Sequence, residues 1–202
     1  MKRSIWLYIF LSFVIVGANA EDSDKIEFIG NISDKYYNIK DPIFAILPFE
    51  IQEEWSGWKV SKQEKDSYKD LICIRNYERF QLLMSTFGFN IVERLKLESA
   101  IEEQELSLNQ NSQVLKIGNI VSSNIIISSL IVRWINYSKI GSETGFGMYE
   151  IIIKGFSVET GEILFVLNAS SKFKTTYDSF RVDILDIEDK ALKRIIKELI
   201  RV

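Results

Sequence analysis

The sequence predicts an α/β fold: one mixed β-sheet with helices packed on it, in the order strand, helix, strand, helix, helix, strand, strand, strand, helix. Three observations predict it. Short runs of branched and aromatic residues alternate with longer runs whose apolar positions step by three or four. Two of the short runs are joined by Glu159-Thr160-Gly161-Glu162, a hairpin signal. The chain of 202 residues, 47% hydrophobic and 26% charged, has the size and composition of one domain with a real core.

The first residues read as an address. Lys2 and Arg3 precede an apolar run from Ile5 to Val16 broken only by Ser12, and Ala18-Asn19-Ala20 supplies the small residues a signal peptidase reads. Residues 1–20 are therefore expected to be a signal peptide cleaved before Glu21. The alternative is a retained anchor, but the run is short for a bilayer span of about 20 residues. The expected organisation is then a polar arm over residues 21–40 and a single α/β domain over 41–202.

Asp41-Pro42 marks the boundary of that domain. Ile43 to Phe49 is a branched, aromatic run expected to be a buried strand that Pro48 ends. Glu50 to Asp70 is charged and is expected to be a loop feeding a helix. The helix spans about 70–87, where Ile74, Tyr77, Phe80, Leu83, Met84 and Phe87 form one apolar face. Gly88 stands where a helix C-cap belongs. Phe89 to Glu93 reads as a strand. Lys96 to about Leu106 reads as a helix turning Leu97, Ala100 and Ile101 inward, and Val114, Ile117 and Val121 mark a further short helix. Asn124 ends it, and Ile125 to Val132 is too rich in β-branched residues for a comfortable helix. Trp134 to Gly147, with Gly141, Gly145 and Gly147, is expected to be a bend or hairpin end. Tyr149 to Val158 and Ile163 to Lys172 form the antiparallel hairpin. Asp186 is expected to cap the last helix, which buries Ala191, Leu192, Ile195, Ile196 and Leu199.

Composition excludes several chemistries. The chain has no histidine, which removes Ser-His-Asp and Cys-His nucleophilic sites, histidine metal ligation and histidine pH switches. A net charge of -3 gives no basic field for nucleic acid. The single cysteine, Cys73, has no internal partner for a disulfide and sits in an apolar neighbourhood. The glycines near 145 do not form a phosphate loop, and no Gly-Lys-Ser/Thr follows them.

Three sets of residues invite a functional reading. Glu98 and Glu102 share a helix face, and with Asp183 or Asp186 they would be the raw material of a carboxylate or metal-dependent hydrolase. A solvated acidic face is the plainer reading, with Arg94 pairing Glu98 at i,i+4. Trp55, Trp58 and Tyr68 crowd a polar stretch and are candidate interaction residues, either anchoring a partner or folding back over the sheet. Three glycosylation sequons, at Asn31, Asn136 and Asn168, are matches a chain this rich in asparagine and serine produces by chance.

Five phrases occur in one order: Ile46-Leu47-Pro48-Phe49; Ile91-Val92-Glu93-Arg94 with Glu103-Gln104-Glu105-Leu106; Ile117-Gly118; Asn124-Ile125-Ile126-Ile127; and Glu159-Thr160-Gly161-Glu162-Ile163-Leu164. In this order the chain resembles the periplasmic domain shared by the curli-secretion channels and the penicillin-binding-protein activator lipoproteins (CsgG/LpoB/TolB-N-like), from Ile43 to about Phe173. The resemblance implies Glu93 and Arg94 as a structural corner and Gly161 as the hairpin glycine, with no catalytic residue, cofactor or metal. It implies a non-enzymatic periplasmic accessory that binds a protein partner in the bacterial envelope. It leaves open peripheral outer-membrane association and homo-oligomerisation, and it offers a secretion-channel subunit as the alternative. Two departures stand against the usual members. No lipobox cysteine follows the signal, since Cys73 is far away. The segments 133–149 and 174–186 are too short and polar, on this reading, for the hairpins of a β-barrel.

Overall fold

The computed structural model describes residues 25–56, 62–103, 111–136, 144–176 and 180–200. The expected signal peptide over residues 1–20, Trp58 and Gly141 lie outside them. The expected fold class holds: one mixed seven-stranded sheet carries helices on both faces.

In chain order the elements are β1 (Glu27–Ile32), α1 (Asp34–Tyr37), β2 (Ile43–Ile46), β3 (Glu50–Ser56), α2 (Lys62–Thr86), β4 (Asn90–Ile91), α3 (Arg94–Glu103), α4 (Asn111–Ile120), β5 (Ile125–Asn136), β6 (Thr144–Ser157), β7 (Ile163–Thr176) and α5 (Phe180–Ile200). The strands lie in the order β1-β7-β6-β5-β2-β4, with β3 also paired to β5. β2, β3 and β4 make the parallel part of the sheet, and β5, β6, β7 and β1 make the antiparallel part.

Successive residues of β2 face opposite sides, as pleating requires. Phe44 and Ile46 enter the core under α2 and α5, while Ala45 and Leu47 enter a smaller core under α3 and α4. The first core takes Ile72, Phe80 and Met84 from α2 and Ile184, Leu192 and Ile195 from α5. The second takes Leu97 and Ala100 from α3 and Ile117 from α4. Gly118 lets α4 approach closely, because a Cβ there would stand 2.5 Å from Val158 and 2.6 Å from Ile126.

Several expectations are met in detail. α2 ends in a Schellman motif: Gly88 at φ 84° donates to Ser85 O, and Phe89 N–H donates to Met84 O. The 159–162 turn closes the antiparallel hairpin, with Gly161 at φ 72° donating to Ser157 O at 2.9 Å. The five expected apolar residues of α5 are all buried.

Other expectations need correction. The polar arm becomes structure from Glu27. β1 pairs antiparallel with β7, and Tyr36 just beyond it is buried against Phe165. An edge strand needs only one partner and one apolar side, so its composition stays polar. The supposed loop after Glu50 begins as β3, and the helix that follows starts at Lys62 instead of Asp70. Ile74 and Phe87 are exposed, and Ile72 lies in the core instead.

The expected bend or hairpin end at 134–147 falls where antiparallel β5 and β6 meet, with strand reaching further in than expected, to Asn136 and from Thr144; 137–143 lie outside the described residues. Gly147 is there because the Phe173 ring lies on it, 2.4 Å from where a Cβ would stand. Asp186 lies inside α5, paired with Lys190 at 2.5 Å, so it does not cap the helix. β5 has 12 residues and β6 has 14, and within 133–149 they contribute only 133–136 and 144–149.

Candidate functional site

Pro48 interrupts the strand that begins at Ile43. β2 registers Ile46 with Ile127, and β3 registers Glu50 with Leu130. Leu47, Pro48 and Phe49 therefore face only Ser128 and Ser129, which is a bulge of one residue. Proline has no N–H to give a ladder, so a bulge is where it fits. Leu47 N–H keeps the register by donating to Ile127 O at 2.9 Å. Phe49 then anchors the chain: it is 4% exposed and packs on the rings of Tyr77 and Phe80 of α2.

From that anchor β3 runs seven residues along β5. Ile51 packs against the main core, while Glu50 and Gln52 are exposed. Among the described residues β3 pairs with β5 alone. Its outer row of backbone N–H and C=O groups is a sheet edge, the feature to which a partner strand adds. Trp55 sits on β3 in register with Ile135, and Tyr68 sits on α2. Both therefore belong to regular elements and not to the polar loop expected of them. Trp58 lies outside the described residues.

The β4–α3 corner borders the same side of the molecule. Glu93 is exposed, and its carbonyl accepts from Leu97 N–H at 3.2 Å to open α3. Arg94 meets Glu98 at 2.6 Å, as its i,i+4 spacing anticipates, and Glu78 of α2 at 3.2 Å. Its guanidinium also lies over the Tyr77 ring, 5.6 Å from the centroid. One side chain thus ties α3 to α2 around the rim of the sheet.

The carboxylates suggested for hydrolysis do not come together. Glu98 and Glu102 ride on α3 above the smaller core, and Asp183 and Asp186 belong to α5 on the opposite face. Among the described residues no group of three His, Cys, Asp or Glu side chains could hold a metal ion.

Sequence reasoning missed a buried polar cluster between α2, α5 and the sheet. Arg75 forms an ion pair with Glu188, whose side chain is 4% exposed. Tyr149 OH donates to Asn76 Oδ1 at 3.3 Å, and Asn76 Nδ2 donates to Ile72 O at 3.0 Å. Arg133, on β5, is 1% exposed and adds positive charge near both Glu188 and Tyr149. Burial pushes the Glu188 carboxyl above its ordinary value, while Arg75 and Arg133 pull it down. Burial likewise raises the Tyr149 phenol well above its usual range. Its polar contacts cross-link α2 to α5 and β6, which is the geometry of a core fastener. One signal was readable: Glu188 falls one residue after Ile187 on the buried stripe of α5.

No protein-family model matches the chain, and no curated protein matches it. Solved structures do. The LpoB C-terminal domain from Salmonella enterica is 16% identical, with 67% of this chain and 83% of that one covered and a TM-score of 0.36. A PelC dodecamer from Paraburkholderia phytofirmans is 9% identical, with coverage of 87% and 97% and a TM-score of 0.44. Lipoprotein GNA1162 from Neisseria meningitidis is 7% identical, with coverage of 79% and 97% and a TM-score of 0.46. At these values the activities of those proteins do not pass to this chain.

Proposed function

We propose that this chain is a non-enzymatic accessory protein of the bacterial envelope, exported by its N-terminal signal, that acts by binding a protein partner. The observation that carries the reading is β3, a seven-residue edge strand whose start is anchored by buried Phe49 and which presents one unpaired side among the described residues. Main-chain pairing along such an edge supplies affinity, and aromatic neighbours supply anchoring. Trp55 on β3, with Trp58 just beyond it and Tyr68 on α2, are the proposed anchors. No helix of the described residues is long and apolar enough to cross a membrane. Periplasmic placement, with peripheral contact to the outer membrane, belongs to the same proposal.

The test is affinity capture from envelope extract with the exported protein as bait. A specific envelope protein is expected on the wild-type chain and is lost from a Trp55→Ala/Trp58→Ala variant that keeps the wild-type circular dichroism. Capture of no envelope protein, or equal capture by both baits, removes the reading.

A secretion-channel subunit draws on the length of β5 and β6, which exceeds the roughly 9–11 residues a membrane strand needs. It loses ground because Ile131, Arg133, Tyr149 and Ile151 of those strands are buried in the domain itself. Conductance steps in planar bilayers would restore it.

A further inference from the structure

Residues 25–40, with β1 and α1, form an arm on one edge of the sheet. The arm leads directly into β2 in the chain, yet β7, β6 and β5 lie between β1 and β2 in the sheet. Its bonds run to the C-terminal part of the molecule. β1 pairs with β7 along its whole length, and Ser33 N–H donates to Leu164 O at 2.8 Å. Lys35 Nζ meets Glu162 at 2.6 Å, and the buried Tyr36 ring stands edge-on to Phe165. Tyr36 OH donates to Leu199 O at 3.4 Å, and Arg194 of α5 lies over the Phe28 ring, 4.8 Å from its centroid. The arm thus carries its own docking contacts, and residues 38–42 link it to β2.

That link is where the backbone is strained. Asp41 has a φ of 47°, in the left-handed region, and directly precedes Pro42. A proline steers the residue before it to extended backbone, and the left-handed region is unfavourable to a side chain in any case. Asp41 is exposed, so the path of the chain imposes this conformation, not packing of the side chain. Extending the link would relieve it and carry the arm away from its own β7. The β7 and α5 of a second copy offer the same contacts residue for residue, because the sequence is the same. A short strained hinge beside a docked terminal element is the condition for exchanging that element between copies.

The magnitudes favour exchange at moderate concentration. Strain of this kind is worth about fivefold or more in an equilibrium at one hinge, hence about 30-fold over two. A tethered arm competes at an effective concentration on the order of 1 mM, so the exchanged dimer prevails above about 30 µM.

We infer that the chain dimerises by exchanging residues 25–40 about the Asp41 hinge, each arm docked on β7 and α5 of the other copy. β3 lies toward the opposite edge of the sheet, so exchange leaves it free and stands or falls apart from the proposed envelope partner.

A full chain carrying Cys73→Ala, Ile29→Cys and Asn168→Cys has cysteines at registered positions of β1 and β7. Oxidised at about 100 µM, it is expected to run as a covalent dimer without reductant, and at about 1 µM as a monomer. In a mixture of isotope-labelled and unlabelled chains, the dimer should yield 29–168 peptides that join one of each. Sedimentation velocity on hinge variants gives an independent reading. Asp41→Gly accepts the left-handed conformation and is expected to raise the dimer Kd by about 30-fold. Asp41→Val fits that conformation worse than aspartate and is expected to lower the Kd. A 29–168 bond that stays within one chain at every concentration overturns the inference. So does a dimer whose Kd the two hinge variants fail to move in opposite directions, and this second result decides should the cysteine chain not fold.

Discussion

The two faces of the sheet are built by opposite means. Under α2 and α5 the face is fully covered, and it holds a buried ion pair and a buried tyrosine among aliphatic side chains. The other face is covered by α3 and α4 at one end, and beyond them Leu130, Met148 and Ile152 are half-buried among polar neighbours such as Glu150 and Lys154, with no described element over them. A covered face tolerates charge only when each group is paired within the fold, because desolvation penalises an isolated ion heavily. An open face tolerates apolar side chains where polar neighbours keep any patch small. The first face should therefore govern stability more than the second.

The largest effect expected is at Glu188. Glu188→Ala leaves Arg75 facing the core without its carboxylate and is expected to cost about 3 kcal/mol. That is the low end for a broken buried pair, because the Arg75 side chain is 34% exposed. Urea unfolding measures it, and a loss within error of zero would end the distinction between the faces.

Next comes packing on the covered side. A Cβ at Gly155 would stand 2.2 Å from the Phe165 ring, so Gly155→Ala is expected to cost about 1–3 kcal/mol. A Gly155→Ala/Phe165→Leu double variant should recover part of that loss if ring contact is its cause. On the open face, Leu130→Thr should change the monomer's stability by no more than about 1 kcal/mol. A larger loss, measured at a concentration where the chain is monomeric, would mean that this row is core after all.

The smallest effects are in pH dependence, and they have opposite signs. Glu188 binds its proton more tightly folded than unfolded, because burial raises its pKa above 4.5. Its contribution is full below that value and declines as pH rises through the folded pKa. Glu162, exposed on the hairpin turn, is held below 4.5 by the hydrogen bond from Lys35. Its contribution is full above 4.5 and is lost as pH falls through the folded pKa. Glu188→Gln should flatten the first slope and Lys35→Met the second, as urea midpoints across the acid range would show. If Glu188→Gln steepens the first slope, the sign assigned to that group is wrong.

What was legible in the sequence was local. The Ile43 to Ile46 strand, the Gly88 cap, the hairpin at Gly161, the inward residues of α3 and the Arg94–Glu98 pair each depend on neighbours within a few positions. β1 and β3 were not legible, because an edge strand buries too little to carry strict alternation. Gly147 was readable as a glycine but not as the floor beneath Phe173, which arrives from a strand 26 positions away in the sequence. Of the candidate site, the aromatic residues were noticed, but their elements were not.

By itself the sequence determined the fold class, the main helix faces and the absence of histidine chemistry, because propensity, period and composition act locally. Only the tertiary structure decided that Arg133 and Glu188 lie inside, that Trp55 rides an edge strand, and that no described element covers Leu130 and Ile152 on one face. Burial of a charge and exposure of an apolar row depend on what packs above them, and that is set by elements distant in the chain.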